Sequence, residues 1–184
     1  MGLRNAIPAT EGKLIFDLIK KHSLKTRVMA LSLLRFLDII LAALLAGTSF
    51  GIWVGFNPAI FSASTYVEQQ QNLVSSLNSL MIVLVIAATV ITLLSAFLQL
   101  KNKPAFVALL LAAALFIACM VITRFGNVPV QTEILKWTVD TLPENWTDFR
   151  DKWWSFHIAR TVVELVALVL ITWTVVKNNP AQTK

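Results

Sequence analysis

Long apolar runs separated by short polar stretches set the pattern of this chain. Four runs stand out, from about Leu31 to Gly55, Val74 to Leu98, Ala105 to Phe125 and Phe156 to Val176. Each reaches or exceeds the roughly 20 helical residues needed to cross a hydrocarbon core of about 30 Å. None shows the alternation of barrel strands, and backbone in lipid must bond internally, so each predicts a transmembrane helix.

The flanks complete the predicted layout. Residues 1–12 read as disordered. Residues 13–27 read as a short basic helix at the interface, with Leu14, Ile15, Leu18 and Ile19 on one side. The polar lead is too long, and the apolar run after it too extended, for a cleavable signal. In the third connection, Ile134, Leu135, Trp137, Val139 and Leu142 suggest an amphipathic helix across the outer face, stopped by Pro143. Asn145 or Thr147 then caps the last helix. The expected fold is all-α: a four-transmembrane-helix bundle with an N-terminal interfacial helix and an amphipathic helix in the third connection. Its units are a basic arm (1–30), the bundle (31–176) and a tail (177–184).

Lysine and arginine positions give an orientation. The cluster Lys13, Lys20, Lys21, Lys25 and Arg27 precedes the first run, and Lys101 and Lys103 lie in the second connection. The first connection has none, and the third offsets Lys136, Arg150 and Lys152 with five acids. Positive charge stays inside, so both termini are expected in the cytoplasm and the first and third connections outside. For a bacterium that means the inner membrane. The net charge of +6 does not argue for nucleic acid, because the basic residues flank apolar segments; a bilayer is the expected partner. A hydrophobic share of 57% with only 14% charged residues agrees.

Against this background the start of the fourth run is unusual. Trp146, Arg150, Trp153, His157, Arg160 and Glu164 fall within roughly 80° of one another on a helix. Ionisable groups in a bilayer cost free energy, so such a row marks a functional site. At the same end the orientation gathers Asn57, the Gln69–Asn72 run, Asn78, Arg124 and Asn127. His157 is the natural proton carrier. Arg124 and Arg160 are the cations beside it, with Asn127, Asn78, Trp146, Arg150, Trp153 and Glu164 as ligand contacts.

Plainer readings stand beside these. The row could be an ion network pinning the fourth helix to the third, with Glu164 paired to Arg160 one turn away. Trp153 and Trp154 sit where tryptophan is favoured at an interface. Gln69–Asn72 could be a solvated helix start, and Asn78 could bond across helices. Arg35 and Asp38 fit a local ion pair. Gly47, Gly51 and Gly55, with Ala43 a turn earlier, form a small-residue ridge for close packing in the bundle or between subunits of a homo-oligomer; a smooth wall for a flat ligand is the functional alternative. The lone Cys119 reads as a small buried side chain.

The chain has two histidines, and His22 lies in the arm, so no multi-histidine metal set is available within one chain. No phosphate loop, Cys-x-x-Cys pair or serine elbow is present. No cofactor is expected, although a single haem ligand at His157 stays open.

The run Asn127-x-Pro129, Trp137, Pro143-x-x-Trp146-x-x-x-Arg150-x-x-Trp153-x-x-x-His157-x-x-Arg160-Thr161 resembles the four-helix membrane family that includes fungal anthrone oxygenases and many bacterial proteins. The glycine-rich first helix ending near a proline and the glutamine-containing lead into the second are also similar. The resemblance covers roughly residues 31–176. It implies an oxygenase with O₂ as co-substrate and a small, flat, lipophilic anthrone- or phenol-like ligand. The alternative expectation is a non-enzymatic membrane binding or assembly protein that holds a lipid, a quinone or a partner subunit.

Overall fold

The computed structural model describes the backbone of residues 9–177 and the side chains of residues 13–177. The expectations for residues 1–8 and for the tail 178–184 lie outside the described residues. The elements are α1 (Ala9–Gly55), α2 (Ala63–Leu98), α3 (Lys103–Ile122), α4 (Val128–Ile134) and α5 (Trp146–Lys177). A five-residue π-turn, Thr123–Asn127, joins α3 to α4.

Among the described residues, four helices are long and apolar enough to cross a membrane: α1, α2, α3 continued through α4, and α5. α1 packs on α2, α2 on α3, α3 on α5 and α5 back on α1. Connections between successive helices are short, which makes neighbours antiparallel. Alanines at the contacts (Ala42, Ala88, Ala112, Ala167) let backbones approach closely around Leu45, Leu109, Phe116 and Ile171. The outer surface is apolar, with Leu80, Val83, Ile86 and Val90 exposed along α2, while His157, Glu164 and Asp38 are buried. That inversion suits lipid as solvent.

Four boundaries differ from the sequence reading, each for a local reason. The expected short interfacial helix is not a separate element, because α1 runs unbroken from Ala9 to Gly55. Nothing between Lys13 and Ala46 is glycine or proline, so nothing breaks the backbone ladder. α2 begins at Ala63, capped by Ser62, whose Oγ accepts from the Thr65 N–H. The glutamine run is therefore helical: Gln70 is buried, and Gln71 donates to the Trp137 carbonyl at 2.9 Å.

The third span does not stop at Phe125. Pro129 has no N–H to continue the α-helical ladder, and the Val128 N–H reaches back five residues to the Thr123 carbonyl. The extra residue is absorbed as a π-turn and the helix resumes. The helical part of the third connection is thus Val128–Ile134, earlier than expected. Beyond it, Thr138 and Thr141 cap each other around a single 3-10 turn, and Trp137 meets Phe149 edge-on at 5.2 Å.

The expected local pairing of Arg35 with Asp38 is replaced by two contacts between helices. Arg35 donates to Gln99 Oε1 at 2.6 Å, and Asp38 accepts from the Thr92 hydroxyl at 2.6 Å. Both clasp α1 to α2 instead of pairing with each other. The glycine ridge faces outward: a Cβ at Gly47, Gly51 or Gly55 would meet nothing within 4 Å. It is therefore not a contact inside the bundle.

Candidate functional site in the bundle

The face of α5 that carries the row turns inward over its middle, where Trp153, His157, Thr161 and Glu164 are buried. His157 is 0% exposed. Its Nε2 lies 3.1 Å from the Ser49 carbonyl oxygen of α1. Its Nδ1 receives Arg160 Nε at 3.3 Å and Nη2 at 3.2 Å. A carbonyl only accepts and a guanidinium only donates. The two contacts together therefore assign the ring proton to Nε2 and the lone pair at Nδ1 to Arg160. The ring also lies against Trp153 (centroids 5.1 Å apart, planes 7° apart) and Trp154 (5.5 Å, 20°). Binding a haem iron at His157 would require breaking one of these bonds.

Glu164, one turn beyond Arg160, is also 0% exposed. It does not pair with that arginine: the ion pairs among the described residues are Lys136–Glu133 and Arg150–Asp151, both involving exposed acids. Instead the Cys119 thiol of α3 donates to Glu164 Oε1 at 3.0 Å. The carboxyl also faces the Ser49 side chain of α1, and Oε2 has no other hydrogen-bond partner among the described residues. A carboxylate oxygen accepts at more than one lone pair, so Oε2 retains capacity for a further donor.

Arg160 and Glu164 both line a cavity of about 190 Å³ within the bundle. Asn78 and Met81 of α2, Cys119 of α3, and Thr123 and Arg124 of the π-turn complete its polar and flexible walls. Ile82 and Ile86 wall it toward the exposed apolar surface. A smaller cavity of about 40 Å³ adjoins it, lined by Trp153 and Gln131 and sharing Asn78, Thr123 and Arg160. Arg160 and Asn78 therefore stand between the two spaces.

Of the residues singled out in sequence, Asn78, Arg124, Arg160 and Glu164 meet in the larger cavity, and Trp153 faces the smaller one. His157, Asn127, Trp146 and Arg150 line neither. Asn127, buried in the π-turn, donates to the Trp153 carbonyl at 3.2 Å and ties the turn to α5. Arg150 lies 5.2 Å from the Trp146 ring centroid, and Trp146 packs on Tyr66 at 5.6 Å. Ser49, Cys119 and Thr123 were not anticipated. A serine or cysteine within an apolar helix carries the same pattern as any small packing residue, and only the partner across the bundle reveals it.

An all-α bundle of membrane-length helices around a largely apolar cavity, with two arginines and one glutamate among its lining residues, defines the class. Within that class the chain belongs to the anthrone oxygenase family, whose model matches residues 71–170. The matched stretch contains every polar residue named in the cavity wall. No curated protein and no solved structure matches the chain.

Proposed function

We propose that this protein is an oxygenase for a flat, lipophilic substrate of the anthrone or phenol class, bound in the larger cavity. The observation that carries this reading is the pair Arg124 and Arg160, two arginines among the residues that line one largely apolar space. Such a site favours a ligand with a greasy body and an oxygen that gains negative charge during reaction. The unbranched Met81 and Met120 in the wall let the space adapt to a planar ring. Family membership supports the chemistry without fixing the substrate.

In this mechanism Arg124 and Arg160 hold the substrate oxygen, and the Asn78 amide supplies a further donor. Loss of a proton from the acidic C–H leaves its electron pair on the ring system as an enolate, stabilised at that oxygen. The anion adds O₂ at carbon to give a peroxide. The peroxide is protonated, and loss of water leaves a new C=O. One O₂ is consumed; one atom enters the product and the other leaves as water. His157 acts through Arg160, whose guanidinium it holds at two nitrogens. Asn127, Trp146 and Arg150 organise the end of the bundle where α5 begins. The lysine and arginine distribution supports cytoplasmic termini and a cavity in the outer leaflet of a bacterial inner membrane.

One observation favours a second reading, that of a membrane assembly protein. The Gly47, Gly51 and Gly55 ridge faces outward with open space before it, which suits contact with a second copy.

Oxygen uptake by the purified full-length protein on anthrone tests the enzyme reading. Arg160→Gln and Arg124→Gln are each expected to lower turnover on the order of 10²–10³-fold, as for loss of an oxyanion donor. Unchanged turnover in both variants ends the assignment.

A further inference from the structure

The row suggested His157 as the proton acceptor, yet its geometry argues otherwise. His157 lines neither cavity, and both ring nitrogens are occupied within the protein. A general base must come within hydrogen-bond reach of the proton that it removes. Of the polar groups in the cavity wall, guanidinium groups only donate, and the Asn78 amide and Thr123 hydroxyl are weak bases. The Cys119 thiol already donates to Glu164. The remaining basic group is the Glu164 carboxyl, whose Oε2 has no partner among the described residues besides the Ser49 side chain.

We propose that Glu164 is the catalytic residue that takes the substrate proton, and that His157 is a positioning residue for Arg160. This rests on the oxygenase reading of the same cavity. Two features of the carboxyl fit the task. Cys119 holds Oε1 at 3.0 Å and so fixes the orientation of the group. Arg160, one turn nearer the start of α5, lines the same wall without forming an ion pair with the carboxyl. The ligand then bridges the two, with its oxygen toward the arginines and its acidic C–H toward Glu164. The C–H electron pair stays on the ligand as the enolate while the proton moves to Oε2. After O₂ adds to that carbon, the same proton is returned to the terminal peroxide oxygen. That transfer regenerates the carboxylate, and loss of water, formed from the hydroperoxide OH and the second hydrogen of that carbon, gives the ketone.

The test separates proton removal from oxygen chemistry. Purified full-length protein is incubated anaerobically with anthrone in D₂O, and deuterium entry at the methylene carbon is followed by mass spectrometry. Anthrone binding is followed by tryptophan fluorescence, and O₂ uptake is measured in parallel. Wild type is expected to accelerate exchange over buffer. Glu164→Gln is expected to bind anthrone within about threefold of wild type and to lose exchange and O₂ uptake together, on the order of 10²–10⁴-fold, the usual contribution of a general base. Glu164→Asp, which keeps a carboxylate, is expected to retain more of both. Exchange at the wild-type rate in Glu164→Gln, or in Glu164→Asp and Glu164→Gln equally, overturns the assignment to Glu164. Wild-type protein that neither exchanges nor consumes O₂ overturns the oxygenase reading itself, and the role of Glu164 with it.

Discussion

Arg160 places two N–H groups on Nδ1 of His157, at 3.3 and 3.2 Å, and makes no ion pair with Glu164 one turn away. The guanidinium is held on the imidazole, and Arg160 and Glu164 are both among the residues that line one cavity. Through Nε2 the same histidine is fastened to the Ser49 carbonyl of α1. The position of Arg160 therefore depends on the packing of α5 against α1.

Two replacements of His157 distinguish positioning from proton transfer. Glutamine can accept from Arg160 through its carbonyl and donate to Ser49 through its amide; leucine can do neither. His157→Gln is expected to lower anthrone turnover about tenfold, the cost of roughly one weakened hydrogen bond. His157→Leu is expected to lose on the order of 10²-fold, since it also leaves buried polar groups unpaired. Steady-state kinetics decides. Equal loss in both would show that the imidazole itself takes part in the proton transfer.

The guanidinium shape of Arg160 should matter as well as its charge. Lysine carries the charge but is a point donor, and it cannot present the planar fork that serves His157 and the cavity together. Arg160→Lys is therefore expected to lose most of the activity that Arg160→Gln loses, with the fall mainly in kcat. A lysine variant near wild-type turnover would reduce the role of Arg160 to charge alone.

Gly126 packs directly on Phe156. A Cβ added there would fall 2.6 Å from the ring, inside the π-turn that carries Arg124. Gly126→Ala is expected to destabilise the bundle by about 1–3 kcal/mol through overpacking, read as a lower thermal midpoint in detergent. Gly126→Ala combined with Phe156→Ala should cost less than the sum of the two single changes, because the second relieves the clash created by the first.

The outward ridge of α1 gives a contrasting case. Gly51→Leu meets open space, so the thermal midpoint of the bundle should stay unchanged. If the ridge seats a second copy, the same variant should shift the protein to a smaller species in native mass spectrometry. A lowered midpoint without any change in assembly would contradict the outward placement.

The ends of the apolar runs were legible because hydropathy falls there: α1 stops at Gly55 and α2 at Leu98, as the sequence reading expected. The start of α2 was hidden. Residues 63–73 are helical but polar, so their signal is the Ser62 cap and not the hydrophobic period. The π-turn was equally obscure, since Pro129 reads as a stop and the structure instead shifts the ladder by one residue. Side-chain partners were the least legible feature. Spacing offers the nearest opposite charge, Asp38 for Arg35 and Glu164 for Arg160. The fold provides Gln99, Thr92, His157 and Cys119, most of them on other helices. The row on α5 lies along the face that is buried over its middle, but helix geometry alone could not separate residues that line the cavity from those that brace it.

The most direct test of the proposed activity is a turnover of anthrone under ¹⁸O₂ with the purified full-length protein. The expected result is one O₂ consumed per anthraquinone formed, with one ¹⁸O atom in the quinone and the other in water, at a rate that collapses in Arg160→Gln. Quinone formed at the buffer rate, or with unlabelled oxygen at the new carbonyl under conditions that exclude exchange, would contradict it.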